Sequence, residues 1–230
     1  PVAGLLAPSY VAARAALITD PLGPPPAAGR PEGAGAGAPD GTAEAAGTSH
    51  FVIVDAEGNV VSMTTTVESP FGSGRLAGGF FLNNQLTDFS FSPIDASGAP
   101  AANAVAPGKR PRSSMSPVIV LNGDFQVVSA FGSPGGSSIL AYNAKVFVGV
   151  FMWGLSMQHA IELPNLVARG STVGADTALF SPALRDALPA EGVPLRPNAT
   201  ETSGLQGFVV RDGRMDGGAD PRREGVALYP

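Results

Sequence analysis

The sequence predicts an α+β fold in which antiparallel sheet is covered by helices on one face. Three observations predict it. Strand patterns come in hairpins, at 51–66, 117–131 and 207–218. Apolar helical segments lie between the second and third hairpins. The composition, 44% hydrophobic and 14% charged, is that of a compact chain with a core. Grouped hairpins with grouped helices favour an antiparallel sheet over alternating βαβ units.

Taken in order, residues 1–19 read as a short helix, with Pro8-Ser9 as a cap and Tyr10, Ala13, Ala16 and Leu17 at helical spacing. From 21 to 47 nearly every residue is Ala, Gly or Pro, which predicts a flexible, solvated linker. The texture changes at Thr48. Residues 51–55 read as a buried strand, 56–59 as a turn, and 60–66 as a second strand rich in β-branched residues. Thr48 is thus expected just before the first strand. A Gly-rich stretch at 71–79 leads to 80–83, and 91–108 is a long Pro/Ala/Ser loop. The second hairpin turns at Asn122-Gly123. Gly132-Ser-Pro-Gly-Gly136 then leads into a helix over roughly 137–155, with another after Ser156. The last hairpin turns at Asp212-Gly213.

Composition excludes several classes. A net charge of -5, with no basic run, argues against a nucleic-acid partner. Two short clusters, 110–113 and 220–223, read as locally paired. With no Cys, disulfides, thiolate metal sites and Cys nucleophiles are ruled out. His50 and His159 are too few and too far apart for a His-rich metal site. No metal or other cofactor is expected. The longest apolar stretch, 146–155, falls far short of the ~20 residues that span a bilayer. The opening Pro-Val-Ala shows neither Met nor signal peptide, so the N-terminus is expected to be a cut.

The junction at Gly47-Thr48 carries the chemistry. A Thr hydroxyl there can attack the preceding carbonyl in an N-to-O acyl shift, and Gly47 tolerates the geometry such an attack needs. Hydrolysis of the ester would free an α-amine whose pKa of about 7.7–8.0 suits it as base for its own hydroxyl. The other reading is an ordinary strand-entry threonine, and pattern by itself favours that one.

Five blocks in order shift the balance: TSHFVIVDAEGNVVSMTTTVESPFGSG, LNNQLTDFS, NAVAPGKRPRSSMSP, GSPGGS and ADPRREG. On these the chain resembles the γ-glutamyltransferase (glutathione hydrolase) family. The resemblance implies 1–20 as the end of a large-subunit segment, 21–47 as linker and 48–230 as the catalytic small subunit. It also implies an N-terminal-nucleophile hydrolase fold, a four-layer αββα sandwich of which this chain holds part.

By the same resemblance Thr48 is the nucleophile and Thr66 the threonine that orients it. Gly135 and Gly136 supply the backbone N–H pair of the oxyanion hole. Ser113 and Ser114 hold the substrate's α-carboxylate, and Gln85 and Asp88 its α-amine. Glu68 stands where the family usually has Asn, adding a charge to that pocket. The loop 91–104 has no Tyr, so a lid is expected to be absent and the site open to larger acyl donors. The implied partners are a γ-glutamyl compound such as glutathione and the large subunit of the same precursor. The implied location is periplasmic or extracellular. A cephalosporin or glutaryl acylase of the same family, or an unprocessed, non-catalytic relative, stands as the alternative.

Overall fold

The structure is a computed structural model that describes residues 1–19, 23–35, 47–94, 97–197 and 202–229. The opening segment is two helices, not one: α1 (Val2–Leu6) and α2 (Pro8–Ala15). The break falls at Ala7, which is extended at φ -61° and ψ 127°. Pro8 causes it, because a proline ring pushes the preceding residue out of the helical region. Residues 23–35 form no regular element. They lie back on the helices rather than running free. Arg14 donates to the Ala27 carbonyl at 3.0 Å. Gly4 is so close to Glu32 that a Cβ would stand 2.1 Å from its carbonyl oxygen. The rest of the expected linker, 21–22 and 36–46, lies outside the described residues.

Strand β1 (Thr48–Val54) pairs antiparallel with β2 (Val60–Thr66), from Thr48↔Thr66 to Val54↔Val60. The register is fixed by the turn, where Asp55 Oδ1 accepts from the N–H groups of Glu57 and Asn59 at 3.0 and 2.8 Å. Gly58, at φ 84°, supplies the left-handed residue. The strand therefore begins at Thr48 itself, three residues earlier than the sequence pattern indicates. Nor is it buried on both faces. Phe51, Ile53, Val61 and Met63 keep between 38% and 56% of their surface exposed.

A small hairpin follows, β3 (Leu76–Ala77) with β4 (Phe80–Phe81). Then come β5 (Val118–Leu121) and β6 (Val127–Gly132). The expected long helix is a 3-10 turn at Gly136–Ser138, then α3 (Ile139–Phe147), then a π turn at Val148–Met152. Helix α4 (Met157–Glu162) is capped by Ser156, whose hydroxyl accepts the His159 N–H. Strands β7 (Leu166–Arg169) and β8 (Thr172–Ala175), helix α5 (Pro182–Ala190) and strand β9 (Leu195–Pro197) follow. The sequence shows no strand pattern in this region, because its strands are three or four residues long and punctuated by Gly and Pro, too short to show a period. Strands β10 (Gln206–Arg211) and β11 (Arg214–Ala219) close the chain.

The main sheet is antiparallel with order β11-β10-β6-β5. Helices α3 and α4 pack on one face, and β1 and β2 lie against β6 and β10. The core between helices and sheet centres on Phe131, Tyr142, Val146, Met157, Ile161 and Val209. The described residues thus build helix, sheet and sheet, three layers of the expected four.

One side chain fits the two sheets together. His50 on β1 lies against Gly132 on β6, where a Cβ would stand 2.3 Å from the imidazole. Its Nδ1 is 2.8 Å from Thr64 Oγ1, and its buried Nε2 has no hydrogen-bond partner among the described residues. Burial pushes its pKa down from 6.5 to about 4. The folded state therefore binds fewer protons than the unfolded one between those values. The stability this contributes is complete above pH 6.5 and is lost as pH falls through 4. Unfolding free energies from urea titrations at pH 7 down to pH 4 are expected to fall on the order of 3 kcal/mol in the parent, and to run flatter in His50→Gln.

Candidate active site

The hairpin register brings two threonines face to face. Directly opposite residues of an antiparallel pair share a face of the sheet, so Thr48 and Thr66 meet through their side chains. Thr48 Oγ1 donates to Thr66 Oγ1 at 3.1 Å. Thr66 Oγ1 donates in turn to the Gly47 carbonyl at 3.2 Å, and the Val67 N–H reaches the same carbonyl at 3.4 Å. The Glu68 N–H donates to Thr66 Oγ1 at 2.8 Å. The hydroxyl of Thr48 and the carbonyl of the bond before it are therefore joined through one oxygen.

Two backbone features make this possible. Gly47 has no Cβ because one would stand 2.2 Å from the Glu68 carbonyl oxygen. Close approach, not an unusual φ, is what requires glycine there. Glu68 itself sits at φ 73°, a left-handed conformation that side-chain-bearing residues rarely adopt. That turn aims its N–H back at Thr66. Thr48 and Glu68 are each only 7% exposed.

The sequence-predicted residues converge here. Thr48, Thr66, Glu68, Gln85, Asp88, Ser113, Ser114 and Gly136 line one cavity of about 20 Å³, closed further by Met115 and Ile139. That volume holds about one water. Gly135 is not on the lining but precedes Gly136. Both glycines have positive φ, 132° and 52°, and a Cβ at Gly135 would stand 2.5 Å from the Tyr142 ring. The glycine pair is thus forced by conformation at both positions and by contact at the first. Arg110 and Arg112, which flank the serines, are not on the lining.

Three asparagines with no role in the expected site brace the cavity, Asn103 and Asn143 buried and Asn84 partly buried. Asp88 ends a 3-10 turn, Gln85–Asp88, in which Gln85 Nε2 donates to Asp88 Oδ2. Asn84 accepts from the Ser69 N–H at 2.9 Å and donates to Ser69 and Thr87 hydroxyls at 3.0 and 2.9 Å. It ties the Glu68 turn to the Asp88 turn. Asn103 donates to the Asp88 carbonyl and accepts from the Arg112 N–H at 3.1 Å. Asn143 on α3 donates to the Ser116 carbonyl at 2.7 Å, holding the serine segment. Two of these lie in blocks already quoted, LNNQ and NAVAP, and that was the available signal. Ser113 Oγ accepts from the Met115 N–H at 3.2 Å.

The cluster at 220–223 does more than pair locally. Asp220 is fully buried. Burial works to raise its pKa, but hydrogen bonds from Ser203, Arg222 and Leu205 outweigh that and hold it below the usual value. Arg222 bridges Asp220 and Asp176, both at 3.0 Å. Arg223 donates to the Thr48 carbonyl at 3.3 Å. Among the described residues no group of three or more His, Asp and Glu is placed to hold a metal ion, and no helix is long and apolar enough to cross a membrane.

Layered antiparallel sheets with a threonine pair heading the inner hairpin define the N-terminal-nucleophile hydrolase architecture. The profile of the family described as Gamma-glutamyltranspeptidase matches residues 1–229. The chain belongs to that family. It is 36% identical over 197 residues to the glutathione hydrolase proenzyme of Escherichia coli K12, covering 76% of this chain and 31% of that protein. It is 34% identical to the glutathione hydrolase proenzyme of Pseudomonas aeruginosa, covering 99% of this chain and 41% of that protein. The chain thus spans well under half the length of these relatives. A γ-glutamyltranspeptidase from Pseudomonas nitroreducens complexed with L-DON superposes with a TM-score of 0.67 at 34% identity, covering 79% of this chain and 98% of that one. An acivicin-inhibited γ-glutamyltranspeptidase superposes with a TM-score of 0.65 at 30% identity, covering 76% and 99%.

The glycine pair gives a direct check of this geometry. Gly135→Ala is expected to cost roughly 2–5 kcal/mol, from the strained φ and the collision with Tyr142. Denaturant titration against the parent measures it.

Proposed function

We propose that the protein carrying this chain cleaves itself between Gly47 and Thr48, then uses Thr48 to hydrolyse or transfer γ-glutamyl groups, with glutathione as the expected donor. The observation that carries this reading is the hydrogen-bond chain from Thr48 Oγ1 through Thr66 Oγ1 to the Gly47 carbonyl. In the first step Thr48 Oγ attacks the Gly47 carbonyl carbon and gives up its proton. Charge developing on the Gly47 oxygen is met by the Thr66 hydroxyl and the Val67 N–H. The C–N bond breaks, the α-amine takes the proton, and water hydrolyses the resulting ester. Gly47 leaves as a carboxylate.

The second reaction reuses the same oxygen. The freed α-amine takes the Thr48 hydroxyl proton, and Oγ attacks the γ-carbonyl of the donor. The N–H groups of Gly135 and Gly136 stabilise the oxyanion, a role worth ~2.7–4 kcal/mol per donor. The leaving amine departs with a proton, and water or an acceptor amine releases the acyl group. Ser113 and Ser114 take the α-carboxylate. Asp88, Gln85 and Glu68 take the α-ammonium. Two buried carboxylates on one small cavity favour a donor that brings a cation, which counts against a glutaryl acylase. In the acivicin-inhibited relative the C-terminus has critical roles in autoprocessing and catalysis, consistent with a C-terminal segment that reaches Thr48 here.

The exposed apolar face of β1 and β2 is assigned to the large subunit of the same precursor, and turnover is expected to need it. Domain limits at 20 and 47 and an exported location belong to the same reading. The test uses full-length protein. Its intact mass should show a break before Thr48, and it should release p-nitroaniline from γ-glutamyl-p-nitroanilide. Thr48→Ala should remain one chain and be inactive. A parent that persists as a single chain without activity supports the non-catalytic alternative instead. Glu68→Asn in the active enzyme is expected to raise relative use of glutaryl over γ-glutamyl anilide about tenfold, read as a ratio of kcat/KM values.

A further inference from the structure

Thr48 has an anchoring problem that the hairpin does not solve. Once the bond before it breaks, it becomes a chain end, and chain ends fray unless tied down. Its hydroxyl has to stay free to react, so it is a poor permanent tether. The carbonyl of Thr48 takes no part in the chemistry, and a side chain from 175 residues further along already holds it.

That side chain is Arg223. Its Nη1 donates to the Thr48 carbonyl at 3.3 Å and its Nη2 to the Thr202 carbonyl at 2.8 Å. The planar fork of a guanidinium suits two fixed acceptors. Its stem lies across Gly204, where a Cβ would stand 2.8 Å from Arg223 Cδ and 2.8 Å from Pro134 Cγ. Pro134 is the residue that leads into Gly135 and Gly136. The Gly204 N–H also donates to Ser133 Oγ at 3.2 Å. The base of the arginine is fixed too, since its N–H donates to the Asp220 carbonyl at 3.2 Å, and Asp220 Oδ2 holds Ser203 and Leu205 at 2.6 and 3.2 Å. One short segment, 202–205, is thus clamped between the glycine loop and Arg223.

We propose that Arg223 is a positioning residue for the nucleophile, setting Thr48 at a fixed distance from the Gly135-Gly136 loop by bridging the carbonyls of Thr48 and Thr202. This rests on the reading of Thr48 as nucleophile. It has a second consequence. A permanent cation on the Thr48 carbonyl lies beside the α-amine and disfavours its protonated form, opposing the Glu68 and Asp88 carboxylates on the same cavity, which favour it. With Arg223 in place more of the amine is available as base than without it.

The test compares processed parent, Arg223→Gln, Arg223→Lys and Thr48→Ala on γ-glutamyl-p-nitroanilide across pH. For Arg223→Gln the account expects kcat to fall about tenfold to a hundredfold with KM within about twofold. The ascending limb of its kcat/KM profile should move to higher pH by about half a unit or more. Arg223→Lys keeps the cation but cannot bridge two carbonyls in one plane. It should leave the limb in place and recover only part of kcat. A parental kcat and profile in Arg223→Gln overturns the proposal. So does a loss of kcat with an unmoved limb and a raised KM, which is what general loosening would give. If Arg223→Gln does not fold, Arg223→Lys decides: a parental kcat in it overturns the proposal, and a reduced kcat with an unmoved limb supports it. Activity that survives Thr48→Ala overturns the nucleophile reading and this proposal together. Dead Thr48→Ala beside an unchanged Arg223→Gln overturns this proposal and leaves that reading standing.

Discussion

The site depends on one oxygen, Thr66 Oγ1. It accepts from the Thr48 hydroxyl and the Glu68 N–H and donates to the Gly47 carbonyl. An oxygen in that position orients the Thr48 hydroxyl and polarises the carbonyl it faces. The arrangement holds only while the hairpin keeps its register. A slip of one residue would turn Thr66 to the opposite face of the sheet and break every link. The Asp55 turn, roughly 24 Å of strand away from Thr48 by the ~3.4 Å rise per residue, is therefore part of the site's mechanics.

Around that oxygen the chain has spent conformational freedom freely. Glu68 carries a left-handed backbone, and Gly135 and Gly136 do the same on the other side of the cavity. Each distortion is held by neighbours. Asn84 spans the Glu68 and Asp88 turns, Asn143 pins the serine segment, and Tyr142 fills the space a Gly135 side chain would need. Strain that persists has to be over-determined by its surroundings, and these contacts do that. The fully buried Asp220, satisfied by Ser203, Leu205 and Arg222, performs the same service for the C-terminal segment.

Much of this was legible in the chain before any coordinates. The hairpins at 51–66, 117–131 and 207–218 show their period and their turns, and eight of the nine residues picked out by the motif blocks line one cavity, with Gly135 next to it. What was not legible has physical reasons. The start of β1 at Thr48 is set by pairing with Thr66, not by a hydrophobic run, because Thr48, Ser49 and His50 carry little apolar signal. Ala7 breaks the first helix through the ring of the residue after it. Strands β7 to β9 are too short to alternate visibly. The contact from Arg223 to Thr48 joins positions 175 residues apart, a relation no local pattern encodes. The outer face of β1 and β2 reads as buried strand in sequence, and its apolar residues are indeed there, but among the described residues nothing covers it.

The central claim is that the Thr48 hydroxyl, beside a freed α-amine, is the atom that attacks the donor. An electrophilic γ-glutamyl analogue tests this most directly. After reaction with the processed full-length protein, peptide mapping by mass spectrometry locates the bond it forms. The account predicts a single adduct on the peptide that begins with Thr48, on the side-chain oxygen, with the α-amine unmodified. An adduct on any other residue, or on a Thr48 still joined to Gly47, would contradict it.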